Sequence, residues 1–215
     1  MTHAATPAAR KSRRSQEERS AASRAVLIES AIRCMRERGL AATNLIEIAR
    51  SANLTRGAIQ HHFNSRTELI LAAVRELDER IARSFDKHSV SSDIKGADRV
   101  ATLFNDVVTL TRSEDTVAVF DLWTASRGDL ELKTKMLELQ RPLTEQFREL
   151  WRRNLEGYLS SSLVDASFGI VLMVTQGMAM AQLLKQSTSV VDQMVADTRQ
   201  MLLEHVKMHH RSVLD

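Results

Sequence analysis

Thr43–Arg66 reads TNLIEIARSANLTRGAIQHHFNSR, and this stretch decides the fold. The pattern predicts two short helices joined by a tight turn, with a third helix starting behind them. Asn44 is placed to cap the first, because its side-chain oxygen can accept an orphan backbone N–H one turn in. Glu47 follows at the capping-box spacing. Leu45, Ile48 and Ala49 supply an apolar face at helical spacing, and the helix runs to Ala52. Asn53 takes the turn, where asparagine tolerates a left-handed backbone, and Leu54 plugs the corner. Thr55 caps the second helix, whose early turns carry Arg56, Gly57, Gln60 and His61. Small, forked and polar side chains at the start of a short helix suit the major groove of DNA.

Upstream, Gln16 to Arg38 predicts a helix. Ala21 (or Ala22), Ala25, Ile28, Ile32 and Met35 recur at three- and four-residue steps, with arginines and glutamates between them. Gly39 ends it, as glycine commonly does just past a C-terminus. Packed across the next two helices, it makes a three-helix unit. Residues 1–15, MTHAATPAARKSRRS, are small, polar and basic and read as a disordered arm. Such an arm either reaches along phosphates or into a minor groove, or is an idle tail. Residues 1–66 hold 12 Lys and Arg against 5 Asp and Glu, while the remainder holds 18 against 22. A basic head on a mildly acidic body points the head at a polyanion.

Downstream, Ser65 and Glu68 mark another capped helix start. Leu69, Ile70, Ala73, Leu77, Ile81 and Phe85 carry that helix towards His88. At about 1.5 Å per residue it spans roughly 30 Å, enough to leave the head and enter a second domain. The polar run from Ser89 to Gly96 breaks it. Helices are expected over 97–111, over 114–126, and over 130–158 with Pro142 inside as a kink site. Val164–Lys185 is apolar on nearly all sides and is expected to be buried on more than one face. Gly169 and Gly177 lie close to one face of it, where another backbone can approach. A final helix covers 190–210. Two such helices from each of two chains would form a four-helix bundle about a two-fold axis. The expected class is all-α, of about nine helices, with a helix-turn-helix head at 16–66 and a body at 67–215.

Composition narrows the function. With 7 glycines and 2 prolines in 215 residues, the chain lacks the punctuation that sheets and tight turns need. The lone Cys34, beside Ala31, Ile32 and Met35, excludes an intramolecular disulfide and fits a buried thiol in a reducing cytoplasm. No apolar leader opens the chain. The apolar run Ala166–Ala181, interrupted by Thr175 and Gln176, is short for a membrane span. There is no nucleophile–base pair and no Gly-rich phosphate loop, so neither an enzyme nor a cofactor is expected. His205 and His209 sit one turn apart with His210 adjacent, but no carboxylate or cysteine completes a metal set.

Thr43-Asn44-Leu45, Ile48-Ala49, Ala52-Asn53-Leu54-Thr55-Arg56-Gly57, His62-Phe63 and Arg66 with Leu69 together resemble a known signature. It is that of the N-terminal domain of the tetracycline-repressor (TetR/AcrR) family of bacterial transcription regulators. The likeness covers roughly residues 20–70; beyond them only helix order and length are similar. The resemblance implies a sequence-specific regulator, either a ligand-responsive repressor or an activator. It would bind a pseudo-palindromic double-stranded DNA operator as a homodimer through its last two helices, 164–185 and 190–210. It also implies that Thr43, Asn44, Thr55, Gln60, His61 and Arg66 form the phosphate side, and that Arg56, Gly57, Gln60 and His61 face base edges. Arg56 suits guanine O6 and N7, or a plain phosphate. Asn53 stands where the family usually has glycine. Gln60 stands where it often has tyrosine, and glutamine can position on a phosphate or pair with an adenine edge. Arg66 keeps the charge of the usual lysine. Phe63 reads as core and His62 as structural.

The family encloses a small molecule among its middle helices. That makes Phe104, Val108, Phe120, Trp123, Phe147, Trp151, Met173 and Gln176 the candidate lining for an apolar or aromatic effector, although aromatics at helical spacing read equally as plain core. Met173, Met178 and Met180 suit an adaptable pocket or an adaptable dimer seam. The alternative from a different class is a helical small-molecule-binding protein whose basic head is incidental.

Overall fold

The computed structural model describes residues 7–87, 93–94 and 96–211; of these, 7–15, 86–87, 96–97 and 209–211 are described by backbone only. Among the described residues there are nine α-helices and no strand: α1 Pro7–Ala42, α2 Leu45–Ala52, α3 Arg56–His62, α4 Arg66–Lys87, α5 Gly96–Thr111, α6 Glu114–Ala125, α7 Leu130–Leu155, α8 Ser161–Leu183 and α9 Thr188–Arg211. A 3-10 turn, Ser126–Gly128, joins α6 to α7. The all-α class read from the sequence is the class observed.

α1 begins at Pro7, upstream of the expected Gln16. Residues 1–6 of the expected arm lie outside the described residues. Gly39 interrupts α1 where a helix end was expected. Its φ of 73° and ψ of 171° lie in a region that only glycine visits readily.

Contacts divide the chain into two units, Met1–Glu76 and Leu77–Asp215. In the first, Leu27, Ala31, Ile32 and Met35 of α1 meet Ile48 and Ala49 of α2, with Ile59, Phe63, Leu69 and Ile70 completing the core. Cys34 is buried and free, as expected. Ala21, Ala22 and Ala25 were expected inward but are exposed. Their spacing is right for the stripe, but the core begins only at Leu27.

The second unit is built around an apolar cluster that includes Val100, Leu103 and Phe104 of α5, Leu150, Trp151 and Leu155 of α7, Phe168 and Val171 of α8, and Leu202 and Val206 of α9. Phe85 meets Phe147 edge-on, ring centroids 5.5 Å apart. The Trp151 Nε1–H donates to Ser167 Oγ at 3.0 Å, and that hydroxyl donates to the Val164 carbonyl at 2.8 Å. α7 runs on through Pro142.

α8 departs from expectation. Val164, Phe168, Val171, Met178 and Ala179 are buried, but Ile170, Met173, Met180 and Leu184 are 40–63% exposed. The helix is apolar on both faces, yet one chain covers only one of them. By length and composition α8 is also the one described helix that could cross a membrane, with 33% of its most apolar window buried within the chain. It packs on α5, α6, α7 and α9.

Asp78 of α4 lies in the second unit, half-buried. Burial pushes its carboxyl up from 3.8 to about 7. A folded-state value above the unfolded one means that the native state holds the extra proton. The stability this gives is complete below about pH 4 and lost as pH rises towards 7. In Asp78→Asn, urea unfolding should show a weaker fall in stability across that window, and an unchanged slope would contradict the assignment.

Candidate nucleic-acid interface

The Thr43–Arg66 stretch folds as its caps dictate. Asn44 Oδ1 accepts from the Ile46 and Glu47 amides, both at 3.0 Å, and starts α2. Asn53 closes it with φ 53° and ψ 40°, the left-handed conformation that its place in the turn required. The Leu54 amide then reaches back to the Ala49 carbonyl at 3.0 Å. Thr55 Oγ1 accepts from the Ala58 amide at 3.2 Å and starts α3. Ser65 Oγ accepts from the Glu68 amide at 3.1 Å and starts α4.

α3 is thereby split into two faces. Ile59 is fully buried, and Phe63 just beyond it is 2% exposed beneath the Arg24 guanidinium, 5.0 Å from the ring centroid. Arg56, Gly57, Gln60 and His61 are all exposed on the other side, at the i, i+1, i+4, i+5 spacing of one helical surface. Among the described residues Arg56 and Gln60 have no intramolecular hydrogen bond or ion pair, so both side chains are available. A Cβ at Gly57 would meet Thr55 Oγ1 at an ordinary 3.7 Å, so glycine here answers no packing demand within the chain. His62 is held below the usual imidazole value by burial, then by the neighbouring His61 and Arg24, which favours the neutral ring. That fits a structural histidine.

Two residues expected at the interface are committed elsewhere. Thr43 is fully buried, and its hydroxyl donates to the Gly39 carbonyl at 2.8 Å. A side chain with no exposed surface cannot meet a phosphate. Arg66 turns inward, donating from Nε to the Thr43 carbonyl at 2.7 Å and from a terminal nitrogen to the Leu40 carbonyl at 2.6 Å. Of the expected phosphate-side set, Asn44, Thr55, Gln60 and His61 are exposed, Arg66 is half-buried and Thr43 is buried. Nor is Glu47 a capping-box partner. Its carboxylate pairs with Arg38 and with Arg50, whose guanidiniums hold it below the usual carboxylate range, Arg50 contributing more. Glu68 reaches the Asn64 amide at 2.8 Å, one residue before the cap. A further clasp, Arg33 Nε to Ser51 Oγ at 3.0 Å and Arg33 to the Ser51 carbonyl at 2.7 Å, ties α1 to α2. Nothing in the local sequence pattern signals it.

In the second unit the candidate effector set separates. Phe104, Val108, Phe147 and Trp151 share the apolar cluster. Phe120 and Trp123 on α6 and Gln176 on α8 are half-buried outside it. Met173 is 60% exposed and does not join them. The Trp151 N–H is already used by Ser167. The side chains of His209 and His210 lie outside the described residues.

Residues 27–73 match the family profile described as bacterial regulatory proteins, tetR family. The chain is also 46% identical over 67 residues to the HTH-type transcriptional regulator TtgR of Pseudomonas putida, covering 31% of each protein. It is 38% identical over 69 residues to the HTH-type transcriptional regulator CymR, also of Pseudomonas putida, covering 32% of this chain and 34% of that one. Over residues 27–73, therefore, the chain is similar to the tetR family. The matched segment contains the whole capped corner and the exposed face of α3. It spans about a third of the length of these relatives. Two solved structures extend the likeness in fold. The multidrug binding protein EbrR, complexed with imidazole, superposes with a TM-score of 0.60 at 18% identity over 85% of this chain and 94% of that one. The fatty acid degradation regulator FadR from Bacillus halodurans does so with 0.65 at 18% over 84% and 94%. At such identities these neighbours speak for the helical architecture alone.

Proposed function

We propose that the protein is a ligand-responsive repressor that binds a pseudo-palindromic operator as a homodimer. The observation that carries this reading is the outward face of α3, where Arg56 and Gln60 are exposed, unpaired within the chain and one turn apart. Two such helices, one per chain, would enter successive major grooves about one helical turn apart. Asn44, Thr55 and His61 would hold phosphates, Gly57 would let the backbone approach, and Arg56 would read a guanine edge. Residues 16–66 serve as the head, 67–215 as the effector-binding and dimerising body, and 1–15 as a basic arm.

The second copy is supported by the uncovered apolar surface. On α9, Met194, Met201 and Met208 are 63–70% exposed and repeat every seven residues, the period of a helix–helix seam. On α8, Ile170, Met173 and Met180 form a matching exposed stripe. Gly169 and Gly177 beside it face open space, leaving room for another backbone. The effector reading draws on the half-buried Phe120, Trp123 and Phe147 beside the apolar cluster, and on EbrR being a multidrug binding protein. An apolar or aromatic effector would favour a body conformation that holds the two heads at the wrong separation, by population shift.

The test is DNA binding as a function of salt. A duplex selected from a random-sequence pool should bind with a steep negative log–log salt slope, and no binding at low salt would sink the reading. Arg56→Ala should lose about 1–3 kcal/mol of discrimination at one base pair per half-site. Unchanged preference for the selected duplex over its single-base variants would remove Arg56 as a reader.

A further inference from the structure

Arg66 opens α4 and is the cation at which a phosphate contact is expected, yet two of its three guanidinium nitrogens donate to carbonyls inside the head. The residues it grips end α1 and lead into α2. The Thr43 hydroxyl donates to the Gly39 carbonyl at 2.8 Å, and the Thr43 amide donates to the Leu40 carbonyl at 3.1 Å. Arg66 adds a second donor to the Leu40 carbonyl and one to the Thr43 carbonyl. Three carbonyls in five residues, 39, 40 and 43, are therefore fixed, and the next residue, Asn44, is the cap that starts α2. Gly39 has the unusual backbone that lets the chain turn there. The chain could otherwise enter α2 at many angles, and this bracket selects one of them.

We infer that Arg66 is a positioning residue for the helix-turn-helix, forking across the Leu40 and Thr43 carbonyls to fix where α2 begins, and is not a phosphate contact. The chemistry is specific to arginine. Carbonyls near the end of a helix are electron-rich, and a planar fork satisfies two of them at once. A lysine ammonium is a single point charge on a flexible stem and cannot reproduce the fork's geometry. α3 follows α2 through the Asn53 turn, so the entry angle of α2 passes to the exposed Arg56–Gln60 face. The DNA-binding arm of the test rests on the proposed function, and the hydrogen-exchange arm does not.

Two variants of the full chain separate the alternatives, Arg66→Lys and Arg66→Gln. Each is first shown by circular dichroism to be folded at the working temperature. In the DNA-free protein, both should speed amide exchange at Ile46 and Glu47 relative to Ala58, whose amide is capped by Thr55. Exchange at wild-type rates in both variants overturns the bracket. On DNA, the probes are the duplex selected from the random-sequence pool and a scrambled duplex of equal length. Both variants should lose about tenfold in affinity for the selected duplex, with the salt slope and the scrambled-duplex affinity unchanged. A bond that merely stabilised the fold would leave the affinity of the folded protein alone. If Arg66→Lys binds as wild type while Arg66→Gln loses about 0.9 of salt slope per head on both duplexes, Arg66 is a phosphate contact and the inference fails. If the wild-type chain selects no duplex at all, the proposed function fails while exchange still tests the bracket.

Discussion

A chain carrying Met180→Asp and Met201→Asp is expected to sediment as a monomer where the wild type sediments as a dimer. Met180 and Met201 are 40% and 70% exposed on α8 and α9, so neither substitution disturbs the core of one chain. In a two-fold seam each residue occurs twice, which puts four carboxylates into one apolar interface. An uncompensated buried charge costs about 3–5 kcal/mol. Even if only two of the four stay desolvated, dimerisation weakens by about 6 kcal/mol or more, a rise of over ~10⁴-fold in the dimer Kd. In the proposed complex each head would cover one half-site, so loss of the dimer should carry operator binding with it. Leu130→Asp is the control: Leu130 at the start of α7 is 78% exposed and lies outside the stripe. Sedimentation equilibrium at micromolar concentration reads the outcome directly. A double variant that remains dimeric, or a Leu130→Asp chain that dissociates, would remove the α8–α9 seam from the proposal.

The helix-turn-helix was legible because its signals are local. Asn44, Thr55 and Ser65 each cap within three residues, and Asn53 takes a left-handed backbone that little else at that position would accept. The outward face of α3 followed from helical spacing alone. What was not legible is which partner a polar side chain takes, whether that partner is near or distant in sequence. Arg66 announces a charge but not a direction, and the carbonyls it grips lie 23 and 26 residues upstream. Glu47 has the right spacing for a capping box, yet Arg38 and Arg50 compete for the same carboxylate and win because they are charged. Thr43 looks like an exposed loop hydroxyl until the Gly39 carbonyl claims it. The sequence of α8 shows two apolar faces, but not whether the second is covered by the same chain or by another.

Trp151→Ala is expected to cost the body about 3–5 kcal/mol of stability. Trp151 is 1% exposed and sits among Phe104, Leu150, Phe168 and Leu202, so alanine leaves a void that close-packed neighbours refill only in part. The lost hydrogen bond adds little, because Ser167 Oγ keeps its bond to the Val164 carbonyl and no donor is orphaned. Trp151→Phe is the intermediate case: it keeps a six-membered ring, loses the rest of the indole together with the Nε1–H, and should cost about 1–2 kcal/mol, most of it from the smaller void. For a domain whose total stability is on the order of 5–15 kcal/mol, the alanine loss is a large share. Trp123, the remaining tryptophan and also in the second unit, reports body unfolding in urea for both variants. The size of the loss also bears on function. A closed-core Trp151 gives the full penalty in the ligand-free protein. A Trp151 lining an open effector cavity gives under about 1 kcal/mol, because its neighbours would already lack full contact. The second outcome would return Trp151 to the effector site, and the first would leave the half-buried Phe120, Trp123 and Phe147 as the aromatic groups an effector could reach.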